Sequence, residues 1–180
     1  TGGPLSRRTV RALDGVDLTL HRGEILALVG RTGSGKSTLA RIIARLETPT
    51  AGRLLLDGRD VLASEPHRAS QRYRNRVQMV FQDPAGSFDP RRTLGAGIME
   101  GPRNCGVDAS EARRRALDLL VRCGLPKDMM DRYPREVSGG QCQRAAIARA
   151  LAMQPDLLVC DEATSALDVT VQRQIVQLLD

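Results

Sequence analysis

Aromatic side chains are nearly absent from this chain of 180 residues, which has no Trp, two Tyr and two Phe. So few rings leave no stacking platform for nucleic-acid bases, although the net charge of +6 would suit an acidic partner. Arg and Lys together number 27, but they are spread along the chain, as is typical of solvated helix faces. We therefore expect no nucleic-acid partner.

Long apolar runs are also missing. No segment is long enough to span a membrane and no signal-peptide pattern is present, so we expect no direct insertion into a membrane. Hydrophobic residues nevertheless make up 41% of the chain, which is enough for a globular domain with a buried core. The chain starts at Thr1, and we interpret it as a fragment or a processed product.

Cysteine and histidine are too few and too scattered to suggest a zinc site. The chain has four Cys and two His, with no C-x-x-C pair and no Cys/His cluster. We expect four free thiols in a reducing compartment. Cys160 lies inside an apolar run, which predicts that its thiol is buried.

The most informative segment that is present covers residues 30–38. It matches the phosphate-binding pattern G-x-x-x-x-G-K-[ST] and follows the apolar run 24–29, which predicts a buried strand. Glycines let successive N–H groups turn onto phosphate oxygens, Lys36 can reach the β- and γ-phosphates, and the Ser37 hydroxyl can bind Mg²⁺. A helix should begin near Lys36, with its positive end at the same anions. The predicted nucleotide-binding residues are Gly30, Arg31, Thr32, Gly33, Ser34, Gly35, Lys36, Ser37 and Thr38.

Two carboxylates follow a second apolar run. Asp161 and Glu162 end the predicted strand 155–160. A carboxylate at the carboxyl edge of a strand beside a phosphate loop suits Mg²⁺, and its neighbour can polarise a water molecule for attack on the γ-phosphate. Alone, the pair would equally fit an acidic turn; the phosphate loop favours the metal site.

A second helix N-terminus offers backbone amides to an anion. Ser138, Gly139, Gly140 and Gln141 open the predicted helix 141–153. Ser138 can simply cap that helix, or the Ser and two glycines can together expose amides to a phosphate.

The remaining pattern alternates strands and helices before a helical stretch. Strands are predicted at 16–20, 53–56 and 77–81, with a hairpin turn at Asp57-Gly58. Helices are predicted at 66–76, 93–100, 108–122 with an N-cap at Asp108, and 169–179 with an N-cap at Asp168. This order indicates an α/β core that carries a helical insertion.

Taken together, these motifs resemble the nucleotide-binding domain of ABC transporters over essentially the whole chain. The phosphate loop, Gln82 after an apolar strand, residues 138–141, Asp161-Glu162 and residues 165–168 occur in that family's order and spacing. Residues 81–84, 87–91, 132–134 and 164–169 make the chain most similar to the ATPase subunits of peptide and nickel importers.

The resemblance implies an α/β fold of the P-loop NTPase (RecA-like) type. It would have a mostly parallel sheet, an N-terminal antiparallel β subdomain and an inserted α-helical subdomain. Residues 1–180 would form a single, incomplete ABC ATPase domain. Residues 1–82 and 154–180 would be the ATP-binding core with the β subdomain, and 83–153 the helical subdomain with the signature motif.

The resemblance also implies roles for single residues. Lys36, Gln82 and Glu162 would be catalytic, with Ser37, Gln82 and Asp161 at Mg²⁺. Ser138, Gly139, Gly140 and Gln141 would form the signature motif, which caps the ATP of a partner domain. Asp168 would be the D-loop residue at the dimer interface.

The function implied is that of an ATP-hydrolysing subunit which powers an importer of small solutes such as peptides or nickel. Its cofactors would be ATP and Mg²⁺, and its partners a second nucleotide-binding domain, in a homo- or heterodimer, and transmembrane permease subunits. It would be cytoplasmic, peripheral on the inner face of the cell membrane. The alternatives are an ABC-type ATPase that acts on nucleic acid or the ribosome, and a regulatory module without hydrolysis. Intact Lys36, Asp161 and Glu162 count against the regulatory module.

Several positions depart from the family pattern. Cys142 replaces a residue that is usually polar, which should alter the surface of the signature helix. Residues 1–35 contain no aromatic residue to stack on adenine, and the chain ends at Asp180, before the position of the family's switch histidine. We therefore expect the 180-residue chain alone to hydrolyse ATP negligibly.

Overall fold

The computed structural model describes residues 11–65 and 69–161, which contain six α-helices and four strands. The helices are α1 (Lys36–Ile43), α2 (Val61–Ser64), α3 (Gln71–Arg76), α4 (Leu94–Asn104), α5 (Ala109–Arg122) and α6 (Gly139–Ala152). The strands are β1 (Leu55–Leu56), β2 (Arg59–Asp60), β3 (Val77–Val80) and β4 (Leu157–Cys160). Two short 3₁₀ turns lie between α5 and α6.

Strands β3 and β4 form a parallel pair, with Val77 opposite Leu157 and Val80 opposite Cys160. Backbone hydrogen bonds extend the pairing past both ends, because Asp156 N donates to Arg76 O and Asp161 N donates to Val80 O. Parallel neighbours need a crossover connection, which here contains α4, α5 and α6. This arrangement agrees with the predicted parallel sheet and helical insertion.

The larger hydrophobic core lies between α4, α5 and α6. Leu94, Ile98, Leu120 and Ile147 are almost completely buried there. Helix α6 contributes mainly alanines, whose small side chains allow the neighbouring helices to approach closely. This core also includes Val80, so it joins the helices to the parallel strand pair.

A second core surrounds Tyr73 and connects the first helix to the strands. Tyr73 packs with Val61, Ala69 and Val77, and its hydroxyl donates a 2.5 Å hydrogen bond to the carbonyl of Ile43 at the end of α1. Burial raises the pKa of Tyr73 to about 12, so the neutral donor is retained at physiological pH. The phosphate-loop helix is thereby held against α3.

The predicted hairpin at Asp57-Gly58 is confirmed. Both residues have positive φ, 50° and 76°, as a tight two-residue turn between antiparallel strands requires. Strands β1 and β2 pair on either side of it, although they are only two residues long each.

Two predicted strands are wrong within the described residues. Residues 16–20 and 24–29 form no strand, and their apolar side chains are exposed, Val29 to 94%. Alternation and apolar runs report only a preference for burial, whereas a strand also needs a neighbouring edge to accept its hydrogen bonds. In the described part of the chain β3 and β4 pair with each other, and residues 24–29 pair with neither of them.

The helix predictions hold with shifted ends. Helix α4 extends to Asn104, and Asp108 caps α5 by accepting hydrogen bonds from the amides of Ser110 and Glu111. Within the predicted helix 66–76, residues 71–76 form α3, and the described residues 69 and 70 are not helical. The predicted helix 169–179 and its cap Asp168 lie outside the described residues.

The thiol predictions are partly confirmed. All four cysteines are free. Cys123 and Cys142 are buried. Cys160 is exposed as a residue at the end of β4, but desolvation raises the pKa of its thiol to about 11, so the buried Cys160 thiol stays a prediction. The run around Cys160 is apolar in sequence, yet this position lies at the open end of the strand pair.

No described helix is long and apolar enough to cross a membrane. The division of the chain at 82/83 and 153/154 stays a prediction.

The close contact between α4 and the first 3₁₀ turn makes Gly95 a sensitive position. A Cβ at Gly95 would come within 2.6 Å of the Met130 carbonyl oxygen, a backbone atom that cannot simply rotate away. We expect Gly95→Ala to reduce the free energy of unfolding by about 1–3 kcal/mol, measured by denaturant titration. Gly139→Ala is the control, because a Cβ there would meet nothing within 4 Å. Equal stability of both variants would contradict the packing described.

Candidate functional site

The loop of residues 30–38 depends on glycine in two different ways. Gly33 and Gly35 have φ of 80° and 92°, in the left-handed region that residues with a Cβ avoid. Gly35 is also the N-cap of α1, and a Cβ there would lie 2.5 Å from the carbonyl oxygen of Ala12. The sequence pattern correctly identified the turn, but the contact with Ala12 is visible only in the structure.

Lys36 folds back over the loop that precedes it. Its Nζ donates to the carbonyls of Gly30 and Arg31 at 2.7 and 3.0 Å and lies 3.5 Å from Ser34 Oγ. The ammonium group therefore lies against the carbonyls of the loop, although these contacts remain exposed to solvent. A cation held in this position can exchange carbonyl partners for the oxygens of a bound phosphate.

The central contact of the site joins the first turn of α1 to the end of β4. Ser37 Oγ donates a 2.9 Å hydrogen bond to Asp161 Oδ1, and the pair is partly buried. A hydroxyl and a carboxylate are the hard oxygen donors that Mg²⁺ accepts, and Mg²⁺ usually completes its shell with waters and substrate phosphates. No cluster of three or more His, Cys, Asp and Glu side chains occurs in residues 11–65 and 69–161. A divalent cation at this pair would therefore need such additional oxygen ligands.

Gln82 lies at the same edge of the parallel pair as Asp161. It follows β3 by two residues and is exposed, whereas Asp161 follows β4 directly. Because the ends of paired parallel strands lie side by side, the structure brings Ser37, Asp161 and the start of the Gln82 loop to one edge. Glu162 and Asp168 lie outside the described residues.

The second predicted anion site is the N-terminus of α6. Ser138 Oγ accepts from the amide of Gln141 at 3.2 Å, and the Gln141 side chain accepts from the amide of Ser138 at 2.8 Å. This reciprocal capping box confirms the predicted N-cap. In the part of the chain that the structure describes, no hydrogen bond links residues 138–141 to residues 30–38. The structure therefore leaves the two sites unconnected by hydrogen bonds.

The expectation for Cys142 is wrong. Its side chain is 1% exposed and belongs to the helical core, so it cannot alter the surface of α6. Burial raises the pKa of Cys142, which keeps the thiol neutral. Cys142 shares the inward face of α6 with Ala145 and Ala146, three and four residues further on, which belong to the same core.

The sequence analysis did not identify Arg149 or Phe88 as functional residues. Arg149 of α6 contacts the ring of Phe88, which lies in the loop after Gln82. A signal was available, because Arg149 stands in the otherwise apolar run Ala145–Ala150. A charge in such a run indicates a specific partner more than a solvated face.

Comparison with known proteins decides the family. The family model described as "ABC transporter" matches residues 13–165. The chain belongs to this family. The ABC cassette fold is also seen in a solved dimeric structure of the ATP-binding cassette MJ0796 in a post-hydrolysis state with ADP and Pi. That structure is 32% identical, superposes with a TM-score of 0.81, and is matched over 93% of this chain and 73% of its own.

Among curated relatives, this ABC chain is 45% identical to two proteins of Escherichia coli strain K12. They are the dipeptide transport ATP-binding protein DppF and the oligopeptide transport ATP-binding protein OppF. Each alignment covers 96% of this chain but 52% of the relative. The ABC chain thus spans about half the length of the curated relatives it matches.

The capping box at α6 can be tested independently of any ligand. We expect Ser138→Ala to lower the free energy of unfolding by about 1 kcal/mol, because the Gln141 amide loses its acceptor. Ser138→Asp should retain wild-type stability, since a carboxylate caps equally well and favours the helix N-terminus. Denaturant unfolding of both variants measures the difference. If Ser138→Ala were as stable as the wild type, the hydroxyl would not be the cap.

Proposed function

We propose that this chain is the ATP-binding and ATP-hydrolysing part of a subunit that powers an ABC importer of small solutes. The observation that best supports this role is the Ser37–Asp161 hydrogen bond, which couples the phosphate loop to the carboxyl end of β4. The similarity to dipeptide and oligopeptide transport proteins favours peptides over nickel as the solute class.

Residues 30–38 bind the phosphates of ATP in this proposal. The loop amides and the N-terminus of α1 attract the anionic oxygens, and Lys36 turns from the carbonyls of Gly30 and Arg31 to the β- and γ-phosphates. The glycines permit this approach because side chains at Gly33 or Gly35 would be strained in the observed backbone.

Mg²⁺ would be held by Ser37 and Asp161 with Gln82 nearby, and it would neutralise charge on the phosphate oxygens. Glu162 polarises the attacking water as a general base, a role that comes from the family motif. Gln82 stands at the same edge and orients this water. Different side chains at the carboxyl end of the β3–β4 pair therefore bind the phosphates, hold the cation and orient the water.

The exposed N-terminus of α6 serves a second domain. Ser138 and Gly139 are exposed, so residues 138–141 are accessible to the γ-phosphate of ATP held by a partner subunit. MJ0796 forms a dimer in its solved structures, which supports a dimer of nucleotide-binding domains here. Asp168 would lie at the interface, and permease subunits would receive the resulting motion on the cytoplasmic face of the membrane.

No specific observation favours action on nucleic acid or the ribosome. A regulatory module without hydrolysis would have no need for the Ser37–Asp161 pair beside Lys36. We therefore advance a single function.

The phosphate-binding role can be tested with the only two lysines of the chain. In the full-length protein we expect Lys36→Ala to reduce ATP hydrolysis by about 10²–10³-fold and to weaken ATP binding, because a charge at the phosphates is lost. Lys127→Ala is the control, since Lys127 is exposed in a 3₁₀ turn outside the site. Phosphate release and nucleotide titration measure both effects. Unchanged hydrolysis by Lys36→Ala would rule out the phosphate role.

The dimer can be tested by separating nucleotide binding from turnover. We expect Glu162→Gln to keep ATP binding, lose turnover and accumulate as an ATP-bound dimer, measured by light scattering. Adding Ser138→Asp should return this variant to the monomer, because the carboxylate keeps the cap but repels the partner's γ-phosphate. A double variant that still dimerises with ATP would show that the N-terminus of α6 does not face the nucleotide.

A further inference from the structure

A half-buried arginine lies among the alanines of α6. Arg149 is flanked by Ala145, Ala146, Ala148 and Ala150, all of them buried in the helical core. Burial lowers the pKa of Arg149, which reflects the loss of water around its guanidinium group. A side chain in this environment must obtain its interactions from the protein.

Among the described residues, Arg149 makes two specific contacts, and both go to the loop of residues 82–90, which follows β3. One guanidinium N–H donates to the carbonyl of Ser87, and the guanidinium carbon lies 4.4 Å from the centroid of the Phe88 ring. A planar cation can stack on a ring and donate in its own plane at the same time, which a lysine ammonium cannot do.

Phe88 also packs closely against α4. It is 6% exposed, and a Cβ at Gly97 of α4 would lie 2.8 Å from its ring. The ring therefore contacts both Arg149 and the glycine surface of α4.

Short-range bonds make the 82–90 loop compact. The amide of Gly86 donates to Asp83 Oδ1, the Ser87 hydroxyl donates to the Pro84 carbonyl, and the amide of Phe88 donates to the Ala85 carbonyl. These bonds join residues 83–88 into one turn, and Gln82 directly precedes that turn in the chain.

The other end of α6 carries Ser138 and Gln141. From Ser138 to Arg149 the rise along a helix is about 16 Å, and the helix is continuous over this distance. One rigid element therefore carries the predicted signature residues at its start and an anchor for the Gln82 loop near its end.

We propose that Arg149 is a positioning residue that fixes the 82–90 loop to α6, so that Gln82 and residues 138–141 move as one body during ATP hydrolysis. This inference rests on the proposed function. An apolar side chain could fill the same space without the desolvation cost of a guanidinium group. The cation instead supplies two directional contacts, and both constrain the same loop.

The test compares Arg149→Lys with a matched control, Arg115→Lys, in the full-length protein. Arg115 is also partly buried, and it donates to the carbonyl of Ala152 at the end of α6, but its described contacts do not include the 82–90 loop. We expect Arg149→Lys to lower kcat at least tenfold while KM and ATP affinity change less than twofold, because ATP binds at residues 30–38. Arg115→Lys should leave all three values within twofold of the wild type.

A second variant addresses the possibility that Arg149→Lys folds poorly. Phe88→Leu keeps an apolar side chain and removes the ring, and it should lower kcat to a similar extent. The kcat of the double variant, which carries Arg149→Lys and Phe88→Leu, should be no lower than that of the less active single variant, because the two residues act as a unit. If the fold-losses in kcat of the two single variants multiplied in the double variant, the proposal would be overturned.

Hydrogen exchange of the amides of Gly86, Ser87 and Phe88 gives a readout that is independent of activity. Arg149→Lys should speed their exchange at least tenfold, while Arg115→Lys should not. With an active wild type, an unchanged kcat in folded Arg149→Lys overturns the positioning role. An inactive wild type would refute the proposed function, and the exchange rates would then decide alone whether Arg149 positions the loop.

Discussion

The parallel pairing of β3 with β4 is the constraint on which the rest of the structure depends. It brings segments about 80 residues apart in sequence into one register, and it requires the chain between them to cross from the carboxyl end of β3 back to the amino end of β4. Helices α4, α5 and α6 fill that crossover and bury their own core beneath it. The carboxyl end of β4 then lies beside α1, so Ser37 can reach Asp161.

Arginine makes many of the connections that hold these parts together. Arg76 pairs with Asp57 of the hairpin and with Asp156 before β4, and Arg45 donates to the carbonyls of Val61 and Glu65. Arg149 does the same between α6 and the 82–90 loop. The five donors of a guanidinium group let one side chain bridge two segments, which suits a chain with so few aromatic residues for packing.

Prediction from the sequence succeeded where a local rule decides the structure. The caps at Asp108 and Ser138, the turn at Asp57-Gly58 and the start of α1 each follow from the preferences of a few neighbouring residues. It failed for residues 16–20 and 24–29. There the apolar pattern gave a preference for burial, but exposure depended on which segments lie alongside.

The sequence by itself determined the chemistry of the site: the glycines and Lys36 of the phosphate loop, the carboxylate after β4, and the serine that caps α6. These are properties of residue types at fixed spacing, and local backbone geometry is enough to express them. Only the tertiary structure decided which groups meet. The Ser37–Asp161 bond spans 124 positions and the Arg149–Phe88 contact joins a helix to a distant loop, because both depend on how the crossover packs against the strand pair.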